Sequence, residues 1–264
     1  MGDYEQFTER IHKRTGINLS LYKEKQMKRR LTSLREKRGC QSFDDYYNLL
    51  INNKEYYHEF LNRITINVSE FFRNKKRWDV LNQTIIPKLL TRKKHLKIWS
   101  AACSTGEEPY TIAMIMNQHL SLSNVEIVAT DIDENALQAA RNGVYPGKSL
   151  KEVPEDLKRK YFQENDGIYT VDANLKKAIT FKKHNLLKDT YERGYDLIVC
   201  RNVLIYFTDG AKEEIYQGFS HSLDDDGILF VGSTEQIFNP KQYQFQTVDT
   251  FFYEKQNAKE KTLE

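Results

Sequence analysis

The sequence predicts an α/β chain in which an all-helical N-terminal unit precedes a Rossmann-like, doubly wound sheet. Three observations predict it. Through residues 1–80, apolar side chains recur at helical spacing and no strand-like run interrupts them. From Leu96 onward, short apolar runs of the buried-strand type alternate with amphipathic stretches. Within that alternation, Tyr145–Asn174 intrudes with Pro146, Gly147, Pro154 and Gly167, as a small inserted subdomain would.

The elements follow in order. Tyr4, Phe7 and Ile11 form one helical stripe, and Met27, Leu31 and Leu34 a second, with Gly16 and Gly39 closing the two helices. Ser42 and Asp45 stand at capping-box spacing ahead of Tyr46, Leu49 and Leu50, and Phe60 with Ile64 marks a further helix. A linker helix near Trp78–Leu90 is expected to be interrupted at Pro87. Then come the strand runs LKIWSA, VEIVATD, ITFKKHN, YDLIVCRN and GILFVG, spaced by helices at 107–119, 134–142 and 211–223. TVDTFFYEK reads as a closing strand. The expected domains are therefore 1–78 (helical), 79–95 (linker) and 96–257 (α/β, with the insertion at about 145–176), followed by a tail at 258–264.

Composition bounds the function. The chain has 264 residues, 39% apolar and 29% charged, an ordinary globular composition. No run approaches the roughly 18 apolar residues of a membrane span, and MGDYEQFTERIHKR lacks the apolar core of a secretory leader. A cytoplasmic location is expected. Cys40, Cys103 and Cys200 have neither zinc-site spacing nor the even count of a disulfide framework, so they read as packed or surface thiols. Residues 1–80 hold 17 Lys and Arg against 11 Asp and Glu, and the remainder 23 against 26, which points the N-terminal unit toward an acidic partner.

Ligands of doubly wound sheets bind outside the carboxyl ends of the strands, and several strand ends here carry polar residues. ACSTGEEPYTIAM makes a small-residue turn into a helix after the first strand, and Asp131 ends the second. Asp131 can accept both ribose hydroxyls of a nucleoside, while Gly106 allows close backbone approach. The single glycine disfavours a dinucleotide. From these residues alone, a nucleoside site and a plain helix cap at Asp131 or Glu108 both stay open.

The motifs NVSEFFRN (67–74), SAACSTGEEPY (100–110), ATDID (129–133), HNLL (184–187) and CRNVLIYF (200–207) together resemble the CheR family of chemotaxis receptor methyltransferases, from about residue 4 to residue 254. The resemblance implies a class I S-adenosyl-L-methionine-dependent methyltransferase domain behind the helical domain. It implies transfer of a methyl group to glutamate side chains of chemoreceptors, giving methyl esters and S-adenosyl-L-homocysteine, without a metal. By position, Glu108 and Asp131 would hold the cofactor's amino group and ribose. Asn185, Leu186, Arg201 and Asn202 would line its adenosine and methionine portions, and Asn67, Ser69 and Arg73 would close the site. Many relatives have threonine at the position of Ser69, which keeps the hydroxyl. Arg73 and Tyr206 are the expected catalytic residues, Arg73 orienting the incoming carboxylate or bracing the cofactor, and Tyr206 directing its hydroxyl at the reacting groups. A glutamate is already ionised at pH 7, its reference pKa being about 4.3, so geometry rather than a general base is what the enzyme must supply.

The expected partner is the acidic methylation helices of receptors, met by the basic second helix through Lys25, Lys28, Arg29, Arg30 and Arg35, with a solvated face as the plainer alternative. Contact with the membrane would be indirect, through the receptors. The insertion turn QENDGIYTV is shorter than in family members that bind a receptor C-terminal tether, which argues against a tether here. Two rival readings remain: a nucleic-acid methyltransferase, with Cys200 at a strand end as its candidate cytosine-C5 nucleophile, and a non-catalytic binding module. No Asn/Asp-Pro-Pro-Tyr/Phe segment supports the first, and intact Glu108, Asp131 and Arg73 argue against the second.

Overall fold

The helical unit is assembled around an aromatic centre. In the computed structural model, which describes residues 2–65 and 69–256, helices α1 (Asp3–Thr15), α2 (Glu24–Lys37), α3 (Phe43–Asn52) and α4 (Lys54–Thr65) bury the stripes expected of them. Phe7 is the hub, with Phe43, Tyr46, Tyr47 and Phe60 rings at 5.2–6.5 Å. Ser42 and Asp45 form the capping box of α3.

The linker helix departs from expectation. α5 (Lys75–Val80) runs through a π-helical turn at Leu81–Ile85 straight into α6 (Ile86–Leu90), so Pro87 does not break it. The widened turn, in which the Ile86 N–H reaches back to the Leu81 carbonyl, accommodates a residue that has no N–H to give. Phe71, Phe72 and Trp78, assigned from sequence to the helical unit, pack instead in the core of the α/β part.

The main sheet comprises β1 (Leu96–Ala101), β2 (Val125–Asp131), β6 (Ile179–Lys183), β7 (Tyr195–Cys200), β8 (Leu223–Val231), β9 (Phe245–Asp249) and β10 (Phe252–Lys255), in the order β6-β2-β1-β7-β8-β10-β9. β6 through β8 are parallel, and β10 is antiparallel to both its neighbours. TVDTFFYEK is thus not one strand. It turns at Thr250–Phe251, with Phe251 at φ 72°, and supplies a hairpin that caps the sheet edge. Helices α7 (Glu107–His119), α8 (Glu134–Asn142) and α11 (Asp209–Ser222) make the crossovers. The insertion holds a second, three-stranded sheet of β3 (Val144–Pro146), β4 (Phe162–Asn165) and β5 (Ile168–Val171), with α9 (Glu155–Tyr161) and α10 (Ala173–Lys177) beside it.

This strand order reverses between β1 and β7, opening a crevice at their carboxyl ends. The helical unit closes one side of it, because its apolar core is continuous with that on one face of the sheet, including Trp99, Ile198 and Phe219.

Candidate functional site

β1, β2, β6 and β7 each deliver polar residues into the crevice from their carboxyl ends. Gly106 caps α7 at φ 96°, and a Cβ there would meet Ala140 Cβ at 2.7 Å, so only glycine permits the sharp turn from β1 that presents Glu108. Ser100 Oγ donates to the Glu108 carboxylate at 2.8 Å, and an Arg201 nitrogen lies 3.9 Å from its other oxygen. Burial nevertheless pushes the Glu108 carboxyl up to about 7. Asp131, at the end of β2, accepts the backbone N–H groups of Ser104 (2.8 Å) and Asp133 (2.9 Å), and burial lifts its carboxyl to about 6.

From the end of β7, Arg201 lays its guanidinium over the rings of Trp78 (4.9 Å) and Phe230 (4.8 Å) and donates to the Arg73 carbonyl at 2.7 Å. Asn202 follows in left-handed conformation, φ 62°. Phe71 and Phe72 anchor the segment carrying Arg73. The Phe71 ring packs edge-on against Tyr145 and Phe162 of the insertion, and the Phe72 N–H donates to Thr111 Oγ1. Ser69 bonds to the carboxylate of Glu107, a buried neighbour that sequence reading passed over in favour of Glu108.

Ser69, Arg73, Glu108, Asp131, Asn185, Leu186, Arg201, Asn202 and Tyr206 all line one cleft of about 960 Å³, its mouth included. Asn67, the remaining site residue expected from the sequence, lies outside the described residues. Asn185 Oδ1 accepts the Leu187 N–H, so its amide nitrogen is the end left to face a ligand. Among the further liners are two aromatic rings given no role from the sequence. His184, next to Asn185, packs edge-on against Trp99, and Tyr22 enters from the helical unit. Tyr22 pairs with Phe207 in an isolated bridge, and flanking bonds join Lys23 N–H to the Tyr206 carbonyl and Thr208 N–H to the Leu21 carbonyl, both at 2.9 Å. No local pattern marks such a residue, since its partners lie almost two hundred positions away.

The second helix corrects one expectation. Lys25, Lys28 and Arg29 are exposed, Lys28 with its ammonium 5.2 Å from the centre of the Tyr4 ring, whereas half-buried Arg30 stacks on the Tyr206 ring at 4.8 Å and Arg35 on Phe43 at 5.0 Å. At 100° per residue both lie only roughly 65–75° from the centre of the apolar stripe, on its shoulders. The outward basic face is therefore smaller than the sequence suggested. Cys200 is fully buried inside β7 and absent from the cleft lining, and burial raises its thiol, so it is no exposed nucleophile.

Two acidic groups beside two guanidinium-bearing residues suit a ligand that carries both an ammonium and a carboxylate, alongside a ribose. Family models match almost the whole chain: the CheR methyltransferase all-alpha domain over residues 2–65, and the CheR methyltransferase SAM binding domain over residues 67–252. The chain belongs to the CheR methyltransferase family. Its relatives include a chemotaxis protein methyltransferase of Listeria innocua, 44% identical over 95% of this chain and 96% of that protein. Others are those of Borreliella burgdorferi (36% identical, 89% of this chain and 88% of that protein) and Escherichia coli (33%, 89% and 84%). The SAM-binding domain of this family is thus the part whose strand ends build the cleft, and its all-alpha domain supplies Tyr22 to the wall.

Proposed function

We propose that this CheR-family methyltransferase transfers a methyl group from S-adenosylmethionine to glutamate side chains on the cytoplasmic methylation helices of chemoreceptors. The observation that carries the reading is the meeting, in one cleft, of the Glu108 and Asp131 carboxylates with Arg73, Arg201 and Tyr206. Supporting it, the named relatives are chemotaxis protein methyltransferases. When bound, S-adenosylmethionine supplies an electrophilic sulfonium methyl, and a glutamate carboxylate is a sufficient nucleophile without deprotonation.

The residues then have distinct tasks. Glu108 holds the cofactor ammonium, and Asp131 the ribose hydroxyls. Asn185, Leu186 and Asn202 shape the remaining walls, with Arg201 balancing the cofactor carboxylate. Arg73 orients the incoming glutamate through charge-assisted hydrogen bonds. Tyr206, which also lines the cleft, borders the reacting groups. Enclosure by Tyr22, Ile64 and Phe207 keeps water from the reaction, which strengthens each of these contacts. Exposed Lys25, Lys28 and Arg29 steer the acidic substrate helix. The enzyme acts in the cytoplasm. No helix of the described residues is long and apolar enough to cross a membrane.

The test is incubation with methyl-labelled S-adenosylmethionine and a receptor cytoplasmic fragment, followed by base. Methyl esters release volatile labelled methanol, whereas methylamines on nucleic acid or lysine do not. Absence of base-labile label on the receptor fragment overturns the reading.

A further inference from the structure

Outside the cleft lining, a buried carboxylate joins the turn that carries Arg201 and Asn202 to the turn after β8. Glu235, 4% exposed, follows β8. Its Oε2 accepts the N–H of Asn202 at 2.6 Å and of Gly232 at 2.8 Å, and its Oε1 accepts the N–H of Leu204 at 2.6 Å. We propose that Glu235 is a positioning residue for methyl transfer, clamping the turn that bears Arg201, Asn202 and Tyr206 to the turn after β8. The proposal rests on the reading of the cleft as a methyltransferase site.

The local backbone explains why an anion belongs there. Asn202 at φ 62°, followed by Val203 at φ −119°, turns successive N–H groups to the same side, a concave arrangement that binds negative charge. Three charge-assisted bonds offset the cost of burying the carboxylate. Gly232 makes the approach possible, since a Cβ there would lie 2.4 Å from Glu235 Oε2 and 2.8 Å from the Asn202 nitrogen. The same turn reaches the segment that carries Arg73, because Ser233 accepts a hydrogen bond from the side chain of neighbouring Asn74. Glu235 does not line the cleft, so it acts through these neighbours and not on the ligands.

Glu235→Gln keeps the shape but replaces one acceptor oxygen with a donor facing backbone N–H groups, leaving at least one of them unpaired. In the full-length protein, S-adenosylmethionine Kd by calorimetry is expected to rise about tenfold or more. The kcat at saturating cofactor is expected to fall by a similar factor, per folded molecule, at temperatures below the onset of melting. A merely structural role lowers Tm and leaves both constants intact. Gly232→Ala keeps the carboxylate and displaces it, so it carries the same expectations, and serves alone should Glu235→Gln fail to fold. Combined, the two changes should have less than the product of their separate effects, because both act on one clamp. Wild-type Kd and kcat in either folded variant overturn the proposal, as do effects that multiply. Kd is read with S-adenosylmethionine alone, so it decides this proposal even if receptor glutamates prove not to be the substrate.

Discussion

Burial lifts the Glu108 carboxyl to about 7 although Arg201 lies alongside and Ser100 donates to it, so near neutrality the group is divided between two protonation states. Only the carboxylate form can pair with the cofactor ammonium. Binding must then release a proton wherever Glu108 is protonated in the free protein. S-adenosylmethionine affinity is expected to be full above about pH 8, to decline as pH falls through about 7, and to steepen below about 6, where Asp131 also takes up a proton. Calorimetric titrations across this range check it. Glu108→Gln should bind more weakly, with the upper inflection gone and the Asp131 step left, and a flat wild-type profile removes Glu108 from the ammonium site. Asp131→Ala should weaken cofactor binding about ten- to a hundredfold, the range for a hydrogen bond to a charged group, in a protein whose circular dichroism is unchanged. Arg73 differs. If it orients the substrate carboxylate, Arg73→Ala should lower kcat more than it raises the cofactor Kd, whereas a raised KM with kcat intact would make it a binding residue.

At the scale of elements, α2 divides its cations between two tasks. Reversing charge at exposed Lys25, Lys28 and Arg29 should raise KM for a receptor fragment and reduce its salt dependence, with S-adenosylmethionine Kd unchanged, because exposed charges act over about 8 Å at physiological ionic strength. Wild-type methylation by this variant at low salt would make the helix a solvated face. Arg35→Ala, by contrast, should cost about 1 kcal/mol of stability through lost packing on Phe43, read as a lower Tm without a change in KM. The apolar stripe of α2 was legible from spacing alone. The division of its cations was not, because the arginines on the stripe's shoulders find their partners, Tyr206 and Phe43, on other elements. The closing hairpin shows the same limit. β9 and β10 read as one run because Phe251 occupies the turn where glycine or asparagine would have signalled it.

For the molecule as a whole, the alternation of strands and helices, with polar residues at successive strand ends, was open to reading, since both depend on local periodicity. Nine of the ten site residues taken from family motifs meet in the cleft, the tenth lying outside the described residues. His184 stood inside the HNLL motif without a role assigned to it, whereas Tyr22 and Glu235 were missed because each acquires its role only when distant segments close on one another. The boundary between the two units was hidden for the same reason: Trp78 belongs by sequence to the helical end and by packing to the sheet. Trp99 shows the converse, sitting on β1 within the core shared with α1–α4. These are the chain's two tryptophans. Each therefore watches a different region optically. The Trp78 indole lies beneath the Arg201 guanidinium and donates to the Arg73 carbonyl at 3.0 Å, so its emission senses the charge on the cleft floor. In a Trp99→Phe variant, adding cofactor should shift or quench the remaining fluorescence in step with occupancy. In a Trp78→Phe variant the same addition should change emission less, through the His184 ring beside Trp99, and the larger change should come when the helical unit peels from the sheet.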